Sequence, residues 1–156
     1  MNKESGIKGT KRPAIRNKTA RRFYKILDKV EAGMALKGLE VKSLRAGRAS
    51  LNESYVKISG SEAFLINAHI PAWQKQIENY EPTRSRKLLL HKSEIRDLYL
   101  KSQKKGLTLV PLSIYFKKNK AKVLIGVGRG LKKGDKRAKI KERELKRELK
   151  RTLKRS

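Results

Sequence analysis

No cysteine occurs among the 156 residues, which excludes a disulfide framework and a thiolate metal site and leaves buried apolar surface to hold the fold. Acidic residues are scarce, 14 Asp and Glu against 42 Lys and Arg. Long hydrophobic runs are missing too, so a membrane-spanning helix is not expected. Met1 to Pro13 are basic but lack the apolar stretch of a secretory signal. A cytoplasmic location follows as the expectation. The two histidines, His69 and His91, are far apart and carry no accompanying ligand cluster. Glu31, Glu40, Glu53, Glu62 and Asp97 are scattered, with no close pair of the kind two-metal nuclease chemistry uses. Neither a catalytic constellation nor a cofactor site is expected.

What the chain has in excess is positive charge, a formal +28. A charge of that size repels itself, and a line of phosphates both neutralises it and gains entropy by releasing counterions. Nucleic acid is therefore the first expected partner. An anionic membrane would attract the same charge, but stable attachment needs an apolar anchor that the chain does not offer.

Composition divides the chain into a basic lead (1–16), a mixed apolar and polar body (17–127) and a basic tail (128–156). In the body, Tyr55 to Ser59 alternate in the two-residue period of a strand. Ser59-Gly60-Ser61-Glu62 supply a turn, and Ala63 to Ala68 read as the returning strand. Leu107 to Phe116 and Ala121 to Val127 form a second hairpin around Asn119, with Pro111 demanding an edge or a bulge. Phe23 to Val30 and Gly33 to Lys37 read as an earlier pair of strands. Short helices are expected over Glu40 to Ala46, ended by Gly47, and from an N-cap at Ser93 to Gly106. Strands with small helices between them suit a closed or partly open β-barrel of the oligonucleotide-binding kind.

Gly126-Val127-Gly128-Arg129-Gly130 lacks the third glycine of a dinucleotide-binding loop, because Leu131 stands there, and reads as a joint between body and tail. Trp73 and Tyr80 offer either a stacking surface for a base or a cover over the barrel end. In the tail, Leu145, Leu149 and Leu153 recur every four residues, with Glu142 four before Lys146. A stripe one residue wide buries little, so the tail is expected to be disordered alone and helical against phosphates.

Several strings taken together carry a resemblance: Asn17-Lys18-Thr19-Ala20, Glu31-Ala32-Gly33, Glu40-Val41-Lys42-Ser43-Leu44-Arg45-Ala46-Gly47, Arg86-Lys87-Leu88-Leu89-Leu90-His91, Gly106 through Leu112, and Asp135-Lys136-Arg137. In this order they make the chain similar to the SsrA-binding (SmpB) family, the tmRNA partner of bacterial ribosome rescue. The resemblance implies a six-stranded antiparallel barrel of the oligonucleotide-binding type with two or three short helices. It implies a non-enzymatic adaptor, one protein per tmRNA, that grips the tRNA-like domain and accompanies it to stalled ribosomes. The tmRNA contacts would fall on Asn17, Lys18, Ala20, Arg21, Glu31, Leu88, Leu89, Leu90 and His91. The tail would become helical in the decoding centre and empty mRNA channel, against ribosomal RNA. It would do so through Arg129, Gly130, Lys132, Lys133, Asp135, Lys136 and Arg137, with Leu145, Leu149 and Leu153 beyond. The family pattern has a ring before Asp-Lys-Arg where this chain has Gly134. A ribosomal or nucleoid-type generic nucleic-acid binder is the alternative, resting on charge and size alone.

Overall fold

The two hairpins expected from alternation are present: β3 (Tyr55–Ser59) with β4 (Glu62–Ile66), and β6 (Leu107–Lys117) with β7 (Lys120–Gly130). The second turns at Lys118 and Asn119, both with positive φ (51° and 64°), the handedness a two-residue hairpin loop requires. The computed structural model describes residues 15–73, 79–131 and 143–151. Its other elements are β1 (Ile15–Arg16), α1 (Ala20–Phe23), β2 (Tyr24–Met34), α2 (Gly38–Arg45), β5 (Arg86–Leu89), α3 (Lys92–Ser102) and a helix over residues 143–151, α4.

The strands form one antiparallel sheet in the order β1-β6-β7-β2-β5-β4-β3. That is seven strands rather than six, because β1 and β5 add to those that alternation reveals. The sheet curls until β3 and β6 approach within 8 Å between Cα atoms, yet among the described residues no ladder joins them. It is therefore an open sheet, not a closed barrel. The expected pair of strands at Phe23 to Lys37 is one strand, β2. Gly33 does not turn the chain; it lies under Leu89, whose Cβ would sit 3.3 Å from a Cβ added at position 33.

Two one-residue slips set which way the side chains point. Register shifts between Ile26 and Asp28 on β2, and between Pro111 and Ser113 on β6. Since side chains alternate with a period of two, each extra residue exchanges the two faces beyond it. Beyond the slips, Val30, Ala32, Met34 and Ile114 face the inner core with Leu65, Leu88, Val123, Ile125 and Val127. Before them, Tyr24, Ile26, Val110 and Leu112 face outward, where Ala20 of α1 and Leu124 join them in a second, smaller cluster. Pro111 thus sits at a bulge, as its missing amide requires. Gly126 and Gly128 belong to β7 and form no joint. A Cβ on Gly126 would meet Leu112 at 3.0 Å, and one on Gly128 would meet Tyr24 at 3.0 Å, so both positions stay bare beneath those side chains.

The helices start slightly earlier than turn chemistry suggests. The N-cap of α3 is His91, not Ser93, and its amide donates to Glu94 Oε1 at 3.0 Å. At the N-cap of α2 the Lys37 amide donates to Glu40 Oε1 at 2.8 Å. In each case the carboxylate three residues on takes an amide the helix cannot satisfy.

Glu40 also does more. Its side chain is fully buried and accepts from Arg84 (Nη2 to Oε1, 2.7 Å) and from Arg86 (Nε to Oε2, 2.9 Å). Arg86 is sealed equally and donates to the carbonyls of Ala68 (2.7 Å), Arg84 (3.0 Å) and Pro82 (2.9 Å). Tyr80 donates to Ile70 O at 2.5 Å beside the pair. Burial alone would raise the Glu40 pKa, but the hydrogen bonds from Arg84, the Lys37 amide and Arg86, with the charge of Arg86, hold it at about 2. Removing one partner strands the other without water. Arg86→Leu should therefore lower stability by about 3–5 kcal/mol in urea denaturation. The folded pKa lies below the ordinary 4.5, so the Glu40 contribution is whole above that value and lost as pH falls from it toward about 2. A midpoint that stays flat through that window would contradict this role for Glu40.

Candidate nucleic-acid interface

β2 carries Glu31 onto the outer face, because the slip at Leu27 reverses the strand's phase. Its register partner on β7 is Leu124, and Gly33 pairs with Lys122 one step on. Tyr115 of β6 donates its hydroxyl to Glu31 Oε2, and Lys117 Nζ lies 3.6 Å from Oε1. Burial, then the hydrogen bond to Glu31 and its charge, push the Tyr115 pKa above its ordinary value. The phenol therefore stays protonated and fixes the carboxylate's orientation, leaving the other oxygen toward the surface.

β5 presents its residues alternately. Arg86 and Leu88 point inward, Leu88 being 1% exposed, while Leu89 projects outward at 54%. Leu90 is half-buried and His91, capping α3, is exposed. Glu31, Leu88, Leu89, Leu90 and His91, far apart in sequence, thus line one groove of about 630 Å3, rimmed by Lys87, Lys92 and Lys122. The leucine surface is Leu89, and Leu88 has only its backbone to offer. The lysines and Tyr115 were not singled out from sequence, although the alternation of Lys122 with the buried Val123 and Ile125 on β7 is a readable signal. A groove with an apolar projection, an oriented carboxylate and a cationic rim can pack on a base or ribose, accept from amino or 2′-hydroxyl groups, and attract phosphates.

The second set of expected contacts lies elsewhere on the same face. Asn17 is an internal clamp: its amide and Nδ2 donate to Leu112 O (2.9 Å) and Pro111 O (2.8 Å), the two carbonyls at the β6 bulge. Its Oδ1 accepts from Thr19 Oγ1 (3.0 Å) and the Ala20 amide (3.2 Å) at the start of α1. Ala20 is buried, and Lys18 and Arg21 are exposed. Arg16, Lys18, Arg21 and Arg143 of α4 line a further groove of about 460 Å3.

Trp73 carries the Arg48 guanidinium 5.3 Å from its ring centroid, and Arg45 lies 4.3 Å from that of Phe116. The Tyr80 hydroxyl is engaged beside Glu40 and Arg86, a structural role. Arg129 and Gly130 end β7, and Leu145 and Leu149 stand exposed on α4 (60% and 62%). Lys132, Lys133, Gly134, Asp135, Lys136, Arg137 and Leu153 lie outside the described residues. Among the described residues no group of three or more His, Asp or Glu side chains could hold a metal ion, and no helix is long and apolar enough to cross a membrane.

Known proteins share both the sequence and the architecture. The SsrA-binding protein of Halalkalibacterium halodurans is 52% identical over 122 residues, covering 78% of this chain and 79% of that protein. That of Frankia casuarinae is 49% identical over 138 residues, covering 88% and 84%. A solved structure described as "tmRNA-SmpB: a journey to the center of the bacterial ribosome" is 47% identical. It covers 79% of this chain and 91% of its own, with a TM-score of 0.66. The SmpB protein family model matches residues 14–155, and on that span, with these relatives, the chain belongs to the SmpB family.

Proposed function

We propose that this chain is a non-enzymatic adaptor that binds the tRNA-like domain of tmRNA and delivers it to stalled ribosomes for trans-translation. The observation that carries the reading is the outer-face groove in which Glu31, Leu89, Leu90 and His91 converge beneath lysines, in a chain whose relatives are SsrA-binding proteins. The groove presents oriented and apolar groups together with charge, as recognition of one RNA fold requires and general phosphate attraction does not.

In this reading the sheet is an oligonucleotide-binding-type barrel left open along one seam, and the body is the tmRNA-binding unit. Asn17 serves it as a positioning residue that sets Lys18 and Arg21 beside the β6 bulge. The basic tail, helical over residues 143–151, enters the decoding centre and empty mRNA channel and gains its order against ribosomal phosphates. The work belongs in the cytoplasm, where ribosomes are.

Leu89→Ala removes a projecting side chain and spares the core. It should weaken binding to the tRNA-like domain about tenfold, a loss of roughly 1.4 kcal/mol, in gel-shift titration with tRNA as competitor and with an unchanged melting temperature. Tyr115→Phe releases the Glu31 carboxylate and should cost discrimination between tmRNA and tRNA more than general RNA affinity. Wild-type protein that bound both RNAs equally would be a generic binder, and the adaptor reading would fall.

Body and tail should separate cleanly if the cut respects β7. Truncation after Leu131 keeps the ladder of Gly128, Arg129 and Gly130 with β2 and β6. The truncated protein is expected to retain the tRNA-like domain at raised salt and to lose rescue of stalled ribosomes in a reconstituted translation assay. Loss of tmRNA binding by this variant would refute the division.

A further inference from the structure

We propose that the open seam between β3 and β6 is a second RNA groove, where an unpaired stretch of RNA stacks its bases on Tyr55, Tyr24 and Phe23. This lies apart from the groove around Glu31: Tyr24 and Glu31 stand at opposite ends of β2, roughly 20 Å apart at the rise of a strand. The inference concerns a different surface and holds or fails independently of the adaptor reading.

The seam exists because the sheet does not close. β7 occupies one edge of β6, while on the other edge β1 covers only Ser113 and Ile114. The Leu107 to Val110 edge has no strand neighbour among the described residues. It opens into a groove of about 880 Å3 whose walls include Phe23, Tyr24, Asn52, Tyr55 and Thr108.

The chain has nine aromatic residues, five Tyr, three Phe and one Trp, and three of them meet in this one place. Tyr55 is 46% exposed on the outer face of β3. Tyr24 lies over Gly128, where an added Cβ would come within 3.0 Å of its own Cβ. The glycine-rich end of β7, which makes no phosphate loop, thus keeps this ring against the sheet. Rings placed for packing alone would be covered, whereas these line an opening.

The groove's loop is held at a conformational cost. Glu53 adopts φ 64°, and Asn67, itself at φ 63°, donates Nδ2 to Glu53 O at 3.2 Å. Non-glycine residues reach this region at a cost that persists where surrounding structure imposes it, often at binding sites.

Charge selects RNA over an apolar partner. Arg21, Arg22 and Lys25 flank Phe23 and Tyr24 along the chain, and Arg129 pairs in register with both Lys25 and Leu107 at the groove's end. Rings beside cations form the usual platform for single-stranded nucleic acid, since every base has a stackable face and every nucleotide a phosphate.

The test uses the full chain and a fluorescent oligouridylate of about eight nucleotides, within the usual site size for such platforms. Anisotropy is read at raised salt, where phosphate contacts alone bind weakly. Tyr55→Ala and Tyr55→Leu should each weaken binding about 5- to 30-fold, while Tyr55→Phe stays within about twofold, because a ring and not bulk is needed. The dependence of log affinity on log salt should keep its slope, since no cation is removed. Binding of the tRNA-like domain should be untouched by Tyr55→Ala, whereas Leu89→Ala should weaken it, which separates failure of this inference from failure of the adaptor reading. Unchanged oligouridylate affinity in Tyr55→Ala and Tyr55→Leu would overturn the proposal, as expected if the edge instead accepts a peptide strand. Cross-linking of wild-type protein to a 5-iodouridine-substituted strand provides a readout that needs no variant. Adducts on Phe23, Tyr24 or Tyr55 support the groove, and adducts confined to other residues refute it.

Discussion

A carboxylate and a guanidinium, both shut away from water, hold the connections on which the rest of the sheet is arranged. Arg86 is the first residue of β5, and its donors reach carbonyls of the chain preceding it, at Ala68, Pro82 and Arg84. Glu40 ties that assembly to α2 and closes the amide of Lys37 as well. A buried pair of this kind adds little to stability over a well-packed apolar substitute, because desolvating both ions consumes most of their attraction. Its value here is positional. An apolar pair could pack in several ways, whereas a guanidinium with fixed donor directions fixes the entry of β5. Leu89, three residues later, inherits its outward direction from that anchor.

The outer face owes its content to the two strand slips. Without the extra residue at Leu27, Glu31 would turn to the core and the small residue Ala32 to the surface. Without the slip at Pro111, Val110 and Leu112 could not share a face with Tyr24 and Ile26 while Ile114 joins the interior. The carbonyls that the second slip leaves are those Asn17 closes. The same asparagine stops the chain from continuing as strand and starts α1. A defect in the ladder, a side-chain clamp and the start of a helix are thus one construction, and it places Lys18 and Arg21 on the surface that carries Glu31.

Alternation and turn residues made the β3–β4 and β6–β7 hairpins legible because each has one wet and one dry face. β5 was not legible for the opposite reason: it buries an arginine and exposes a leucine, so polarity runs against direction. The glycines misled in a consistent way. Gly33, Gly126 and Gly128 looked like breaks, but none serves as one; each makes room for a side chain from a neighbouring strand, a contact absent from local sequence. The slip at Leu27 leaves no mark in composition, and with it went the placement of Tyr24 and Glu31 on one face. The family motifs located the groove residues, yet which of three successive leucines projects was decided by the anchor at Arg86.

The distribution of the few acids explains why so much positive charge remains outward. Glu40 is enclosed by arginines, Asp28 and Asp97 meet Lys101, Glu62 meets Lys87, and Glu31 is oriented by Tyr115. The exposed pairs among these are individually weak, but each holds a carboxylate to a local task. The surface cations therefore repel one another in the isolated protein, a standing cost to the compact state. Phosphates relieve that repulsion and bind the folded surface in preference to the unfolded chain, so RNA association and folding support each other. Charge supplies the attraction for any polyanion, while the oriented groups around Leu89 and Glu31 can distinguish one RNA from another. Selectivity therefore has to reside where the side chains are held most firmly, on the strands that the buried arginine and the two slips put in place.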